Sequence, residues 1–234
     1  MMKKALLFGS IGVLAETSDI QRRAYNQAFK DRGLDWQWDE ETYRYLLRFV
    51  GGQARMRLLS NATGSALSDA VIADIHALKT QIAGAMVRQE VTGPRPGIVE
   101  ALQAAKQSGV LCGIVTSTQR ANIDAIAEAT GISLADFDII VTNADVAEGK
   151  PNPQPYFFAL EQLGVSPADA IAIEDTAASV QSAVDAGIQT LAMPGAYAAD
   201  QDFRFATAVA SSLISEDGAL IAPLQTHLLS KVAA

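Results

Sequence analysis

The chain has 234 residues, of which 49% are apolar and 19% charged, the ordinary composition of a soluble globular protein. Its net charge of −8 and isoelectric point near 4.7 argue against nucleic acid or an anionic membrane as a partner. Because Cys112 is the single cysteine, an internal disulfide is excluded, which fits a reducing compartment. Cys112 lies in an apolar run and is therefore predicted to be a small core residue. His76 and His227 have no Cys or His at ligand spacing, so both are predicted to be ordinary helix residues.

The first predicted element is a strand over residues 4–9, which contains the apolar run from Ala5 to Phe8. The same region resembles a signal peptide, because two lysines precede an apolar stretch. Cleavage after Ala15 would remove the strand, which we expect at the centre of a sheet, and would expose the edges of its neighbours. We therefore predict a cytoplasmic protein that keeps this segment, and no apolar run approaches the ~20 residues that a spanning helix needs.

The next segment is patterned for helices, with no convincing strand. Helices are predicted over 18–32, 38–50, 52–61 and 67–90, and Gly51-Gly52 provides a turn between two of them. Pro94 and Pro96 are typical of a return linker. We predict a helical cap domain over residues 16–91, inserted into a core formed by residues 1–15 and 92–234.

From residue 97 onward, short apolar runs alternate with amphipathic stretches that stop at glycine. Predicted strands cover 110–115, 137–141, 170–173 and 189–193, and predicted helices cover 97–108, 153–163 and 176–186. This alternation indicates an α/β fold, a Rossmann-like parallel sheet with helices on both faces. Ligands of such sheets lie beyond the carboxyl ends of the strands, so the residues that follow each strand are the candidates for a site.

Four segments, each placed after a predicted strand, resemble motifs of the haloacid dehalogenase (HAD) family. They are GSIGVL at 9–14, GIVTST at 113–118, GKPNP at 149–153 and IAIEDT at 171–176. The family begins with a short strand and Asp-x-Asp-Gly-Thr/Val-Leu, and its two aspartates are the nucleophile and the general acid/base. This chain has Gly9 and Ile11 at those positions. The resemblance therefore implies the HAD fold without the reacting carboxylates.

The resemblance also implies roles for the residues that are kept. Thr116 and Ser117 match the hydroxyls that bind phosphate, and Lys150 matches the lysine that neutralises it. Glu174 and Asp175 match the acids that help to hold Mg²⁺, which prefers oxygen ligands. Because one carboxylate ligand is missing, we expect this Mg²⁺ site to be weak or empty.

A closer resemblance, to the CbbY branch of the family, covers the cap as well. It rests on ETSDIQRRAYNQAF, DWQWDEETYRYLL, GGQAR and RPGI. The branch resembles β-phosphoglucomutase and contains cytosolic phosphatases of xylulose-1,5-bisphosphate, so the implied ligand is a small phosphorylated sugar. Gln21 and Gln53 replace the branch's His and Lys, whereas Arg55 matches a contact to a distal phosphate. A protein partner is not indicated by any motif.

Structural roles compete with ligand binding at each retained residue. Thr116 could cap a helix, and Glu174 and Asp175 could serve a helix start. Arg55 could be a solvated cap residue, and Lys150 could pair with one of the two acids. We predict that Lys150 does pair with Glu174 or Asp175, because an unpaired buried charge is costly.

The altered first motif decides the predicted chemistry. Ser10 is expected to face away from the site if Gly9 faces it, because side chains alternate along a strand. Gly9 is expected to leave a small polar void that holds water. We predict a catalytically silent HAD protein with a ligand-binding or regulatory role. Two alternatives stay open: a hydrolase that uses unusual chemistry, and an active phosphatase in which Gly9 and Ile11 were introduced.

Overall fold

The computed structural model describes residues 3–49 and 51–229, which contain a six-stranded parallel sheet. The strands are β1 (Ala5–Phe8), β2 (Leu111–Val115), β3 (Ile139–Val141), β4 (Ala170–Glu174), β5 (Gln189–Ala192) and β6 (Ala208–Val209). Their order is β3-β2-β1-β4-β5-β6, and every pairing is parallel. The predicted α/β fold and the central position of the first strand are confirmed.

Five helices of the described chain accompany the strands. They are α5 (Ile98–Ser108), α6 (Arg120–Thr130), α7 (Gln154–Leu163), α8 (Ala177–Asp185) and α9 (Ala222–Leu229). Of these, α5, α7 and α8 lie within one or two residues of the predicted helices. Gly109 and Gly164 follow α5 and α7 with φ angles of 67° and 65°, a conformation that favours glycine over other residues. The sequence patterns did not predict α6, β6 or α9. In α9, His227 places Nε2 3.0 Å from the Ala5 carbonyl oxygen, so this histidine supports the central strand.

Two apolar layers bury the sheet from both sides. Leu6 and Phe8 belong to the core on one face, and Ala5 and Leu7 to the core on the other, as the alternation of side chains along a strand requires. All four are fully buried. A strand that is apolar at every position is typical of a parallel sheet covered by helices on both faces. Cys112 is buried in the first of these cores, as predicted.

Four helices lie between β1 and α5 in the chain and form a segment that we call the helical insert. They are α1 (Ser18–Asp31), α2 (Glu40–Leu46), α3 (Gly52–Thr63) and α4 (Asp69–Glu90), and no strand occurs among the described residues of 16–91. The insert has its own apolar core, in which Trp38 is fully buried with ring centroids of Tyr25 and Phe29 at 4.4 and 5.0 Å. Its division from the sheet as a separate domain stays a prediction.

The last part of α4 packs on α6 of the sheet layer. Gly84 faces Ala125 at this contact, where a Cβ on residue 84 would lie at van der Waals distance, 3.7 Å, from the Cβ of Ala125. Arg88 and Glu128 form an ion pair beside this contact. The insert therefore stands over the carboxyl ends of the strands. No helix in residues 3–49 and 51–229 is long and apolar enough to cross a membrane.

Arg95, in the linker that returns from the insert, ties together three loops at this edge of the sheet. Its guanidinium donates to the carbonyl oxygens of Gly12 and Met193, the latter at 2.7 Å. It also donates to the carbonyls of Pro194 and Ser211, both at 3.2 Å. A planar guanidinium with several donors suits this task, because each carbonyl at a loop would otherwise need water or another donor.

Candidate functional site

A cleft separates the carboxyl ends of the strands from the helical insert. Its cavity volume is about 120 Å³, and its mouth opens to solvent. The sheet side of the lining consists of Gly9, Ser10, Ile11, Thr116, Ser117, Thr118, Lys150, Glu174, Asp175, Thr176 and Ser179. The insert side consists of Ser18, Gln21, Tyr25, Tyr43, Leu47, Gly51, Gly52, Arg55, His76 and Lys79. The predicted catalytic, phosphate-binding, metal-binding and Arg55 positions therefore line one cleft, whereas Gln53 is exposed and is not part of its lining.

The space beside Gly9 is filled by protein. A Cβ at Gly9 would lie 2.7 Å from Glu174 Oε2 and 2.8 Å from Val13 Cγ2, both too close for a real Cβ. The predicted polar void at this position is therefore wrong, because the Glu174 carboxylate and the Val13 methyl occupy the space. Ile11 packs against the apolar core and is half-buried. Neither position offers an oxygen atom from a side chain.

Lys150 is fully engaged by groups at the ends of β2 and β4. Its ammonium forms an ion pair with Glu174 Oε1 and donates to the Val115 carbonyl oxygen at 2.7 Å. The Tyr156 hydroxyl, from α7, donates to the same Glu174 oxygen. The side chains of Lys150 and Glu174 are only 2% and 1% exposed. The predicted ion pair between Lys150 and one of the two acids is confirmed, with Glu174 as the acid.

The carboxyl group of Asp175 lies at the sheet side of the cleft. Burial raises its pKa to about 8, and the nearby charges of Glu174 and Glu16 act in the same direction, while Lys150 opposes them. Its carboxylate lies directly over the Cα of Gly12, a residue at φ +77°, so only glycine leaves room for it there. The helix that follows is capped by Thr176, whose hydroxyl accepts from the Ser179 amide at 3.3 Å. The predicted capping role therefore belongs to Thr176 rather than to the two acids.

The donor set at this end of the cleft fits Mg²⁺ poorly. Mg²⁺ requires near-octahedral oxygen ligation, commonly with one or two carboxylates. Here Glu174 is already bound by Lys150 and Tyr156, and Gly9 supplies no carboxylate. Across residues 3–49 and 51–229, no group of three or more His, Cys, Asp or Glu side chains is placed to hold a metal.

Hydroxyl groups line the end of β2. Ser10 Oγ and Thr116 Oγ1 are 2.7 Å apart and buried, and Thr116 also accepts from the Thr118 amide at 3.2 Å. Thr116 is therefore not the cap of α6, which begins after Gln119. The expectation that Ser10 faces away is wrong, because β1 ends at Phe8 and strand alternation does not extend into the loop. Ser117 Oγ is buried without a hydrogen-bond partner among the described residues.

Nitrogen-bearing side chains line the insert side, and two of them, His76 and Lys79, were not recognised as site residues from the sequence. Arg55 donates through Nε to the Phe49 carbonyl oxygen at 2.8 Å. Lys79 donates to Gln21 Oε1, while Gln21 Nε2 and His76 Nδ1 are buried without partners in the described chain. His76 is thus more than the ordinary helix residue predicted. Lys79 had a visible signal, since it continues the helical spacing of the buried Ile72 and Ile75.

Burial and like charges depress the proton affinity of these groups. Burial lowers the pKa of Lys79 to about 7, with the charge of Arg55 acting in the same direction. Burial likewise lowers the pKa of His76 to about 4, with Lys79 and Arg55 contributing. No ion pair joins Arg55 or Lys79 to an acid in the described residues, whereas Lys150 on the sheet side is paired with Glu174.

The sequence and the fold are similar to known proteins over most of their length. The model of the haloacid dehalogenase-like hydrolase family matches residues 11–193. Protein CbbY of Rhodobacter capsulatus is 42% identical over 208 residues, which cover 88% of this chain and 92% of that protein.

Two solved structures of CbbY from Rhodobacter sphaeroides have the same fold. The one in complex with phosphate superposes with a TM-score of 0.83 at 35% identity, covering 90% of this chain and 95% of that one. A mutant in complex with xylulose-(1,5)bisphosphate superposes with a TM-score of 0.84 at 34% identity, covering 93% and 99%. By sequence and by fold, the chain belongs to the haloacid dehalogenase-like hydrolase family, in the branch of the CbbY proteins.

Proposed function

We propose that this chain binds a small phosphorylated sugar in the cleft and does not hydrolyse it. The observation that carries the proposal is at Gly9, where no side chain is present and the carboxylate of Glu174, held by Lys150, fills the space. In the family, that position carries the aspartate that takes the phosphoryl group. Here the nucleophile is missing, and the lysine that would neutralise a phosphate is already paired.

The size of the catalytic task supports this proposal. Enzymes accelerate phosphate-monoester hydrolysis by up to ~10²¹-fold. Binding and electrostatics alone retain only ~10³–10⁴ of the acceleration in a protease stripped of its catalytic residues. Ser10 offers no replacement, because its only polar side-chain partner in the described chain is another hydroxyl, that of Thr116, which is not a base.

The insert side of the cleft supports retained binding of an anion. Arg55 is a cationic side chain with no acid partner in the described residues, and Lys79 adds an amine whose pKa burial lowers to about 7. Gln21 Nε2 and, on the sheet side, Ser117 Oγ are buried without hydrogen-bond partners in that part of the chain. A sugar phosphate has the oxygen atoms that such donors need. The CbbY mutant described above holds xylulose-(1,5)bisphosphate, which suggests the ligand class to test first.

Three further parts of the proposal follow from the same features. Mg²⁺ binds weakly or not at all, because Asp175 is the single acid on the sheet side of the described cleft lining whose carboxyl group is not already bound by a lysine. The protein works in the cytoplasm, as its one cysteine and the family suggest. Its role is that of a ligand sensor or regulator, because a sugar phosphate that binds in the cleft is released again without being hydrolysed.

A binding titration tests the ligand. We expect xylulose-1,5-bisphosphate to bind without Mg²⁺ by isothermal calorimetry, and Arg55→Gln to weaken it at least about tenfold, as loss of a charge-assisted contact does. Arg57→Gln is the matched control, because Arg57 lies on the same helix, is exposed and pairs with Asp69 outside the cleft. Equal affinities of the two variants, or no binding at all, would count against the proposal.

A turnover assay tests the predicted absence of phosphatase activity. Phosphate release from a panel of sugar phosphates, with and without Mg²⁺, is expected to stay at background. The double variant Gly9→Asp/Ile11→Asp restores both family carboxylates, and we expect it to gain turnover once Glu174 and Val13 move aside. A folded double variant without turnover would show that the cleft differs from that of an active family member at more positions than 9 and 11.

The second candidate function is hydrolysis of a small phosphorylated substrate through unusual chemistry. The match to the hydrolase family model and the 42% identity to a CbbY protein favour it. Efficient, Mg²⁺-dependent phosphate release by the unaltered chain would select this function over the first.

A further inference from the structure

Two buried lysines line the same cleft in opposite electrostatic settings. Lys150 is paired with Glu174, whereas Lys79 is 4% exposed and pairs with no acid in the described chain. Within residues 3–49 and 51–229, the side chain that accepts a hydrogen bond from Lys79 is that of Gln21, through its amide oxygen. Its ammonium nitrogen also lies 4.6 Å from the centroid of the Tyr25 ring.

An ammonium in this setting is costly. Burial removes its hydration, and no negative charge replaces the water. The charge that perturbs it is that of Arg55 from α3, and the other titratable groups on the insert side of the cleft are His76, Tyr25 and Tyr43, none of which carries a carboxylate. The acids Glu174 and Asp175 line the opposite, sheet side, where Glu174 is paired with Lys150. Burial with a neighbouring cation is the combination that makes a lysine amine neutral and nucleophilic near neutral pH.

We propose that Lys79 is a carbonyl-reactive amine that captures a small aldehyde or ketone in the cleft as a Schiff base. The open-chain form of a sugar phosphate belongs to this chemical class. The inference goes beyond the proposed function, because it requires only the amine and the cleft and involves no phosphoryl transfer.

The reaction balances without any oxidant or reductant. The lone pair of Lys79 Nζ attacks the carbonyl carbon, and the π electrons move to the carbonyl oxygen, which takes up a proton while the nitrogen loses one. The resulting carbinolamine loses its hydroxyl group together with the remaining N–H proton as water, and the nitrogen lone pair forms the C=N bond. Gln21 orients the amine through Oε1, and its Nε2, which has no partner in the described residues, can donate to the departing hydroxyl.

Reductive trapping tests this capture in the full chain. The protein is incubated at pH 7.5 with glyceraldehyde or glyceraldehyde 3-phosphate and sodium cyanoborohydride, and peptides are mapped by mass spectrometry over time. We expect modification of Lys79 at least about tenfold faster than at the exposed Lys30 and Lys106, because ordinary lysines are almost entirely protonated at this pH. Lys150, buried in the same cleft, is the matched internal control and is expected to stay unmodified.

The variant Gln21→Glu tests the electrostatic cause. It places a carboxylate at the existing contact with Lys79, so the amine should hold its proton and react at least about tenfold more slowly. Modification of Lys79 no faster than of the exposed lysines, or equal modification of Lys150, would overturn the proposal, and neither readout depends on a variant. If Lys79 reacts equally with the phosphorylated and unphosphorylated aldehydes, the capture stands and the proposed phosphate binding is weakened instead.

Discussion

Replacing Lys150 with methionine removes the cation that is paired with Glu174 at the carboxyl end of β4. Methionine keeps most of the volume of the lysine stem, so the change tests charge more than packing. In the variant, the carboxylate of Glu174 keeps the Tyr156 hydroxyl as a donor but has no counter-charge. The Val115 carbonyl oxygen also loses its donor.

The expected cost is large because both side chains are almost fully buried. Breaking a buried ion pair by removing one partner typically destabilises a protein by about 3–5 kcal/mol. For a chain of this size, each kcal/mol lowers the melting temperature by roughly 2–4 °C, so we expect a loss of about 6–20 °C. Glu174→Gln should be destabilising for the same reason, since it leaves Lys150 uncompensated. The double variant should cost less than the sum of the two by at least about 2 kcal/mol.

Urea unfolding followed by far-ultraviolet circular dichroism, at pH 7.5, measures all three variants. Arg57→Gln serves as the control for loss of an exposed cation, and we expect a change below about 0.5 kcal/mol. If Lys150→Met changed stability as little as Arg57→Gln, or if the double-variant cycle were additive, the ion pair would not hold this edge of the sheet and the reasoning would fail.

Three other predictions concern the cleft and its frame. Burial lowers the pKa of Lys79 to about 7, against 10.5 in an ordinary lysine, so at this site the unfolded chain holds more protons between these values and Lys79 makes a contribution to the unfolding free energy that rises with pH across that window. Lys79→Met should reduce the increase in unfolding free energy over this pH range by a few kcal/mol, at about 1.4 kcal/mol for each tenfold change in proton affinity. Urea unfolding at pH 7 and 9.5 measures this increase, and the same increase in the variant and in the unaltered chain would show that the idea is wrong. Arg95→Lys should lower stability by about 1–3 kcal/mol in thermal melts, because an ammonium cannot serve the four carbonyls that the guanidinium serves; an unchanged melt would contradict this role. Gly52→Ala should weaken sugar-phosphate binding in calorimetry, because its Cβ would overlap the Tyr25 hydroxyl and lie 2.6 Å from His76 Nε2, and unaltered affinity would show that the cleft yields there.

Local sequence patterns determined the architecture of this protein. A fully apolar strand at Ala5–Phe8 can be stable only where both faces are covered, which places it inside a parallel sheet. Glycines at the ends of helices mark stops because few other residues adopt the left-handed conformation. The missing carboxylates at Gly9 and Ile11 are likewise visible in the sequence, since they are a matter of residue identity.

The three-dimensional arrangement decided what surrounds those positions. Ser10 faces the cleft because the strand ends two residues earlier, and the rule of alternation stops there. Glu174 fills the space beside Gly9, a contact between residues 165 positions apart in the chain that no local pattern encodes. Lys79 could be noticed at a core position of its helix, but only the packing of α4 against α1 places its amine beside Gln21 without an acid. Side-chain electrostatics depend on which groups meet across the fold, so the charge distribution of the cleft had to come from the tertiary structure.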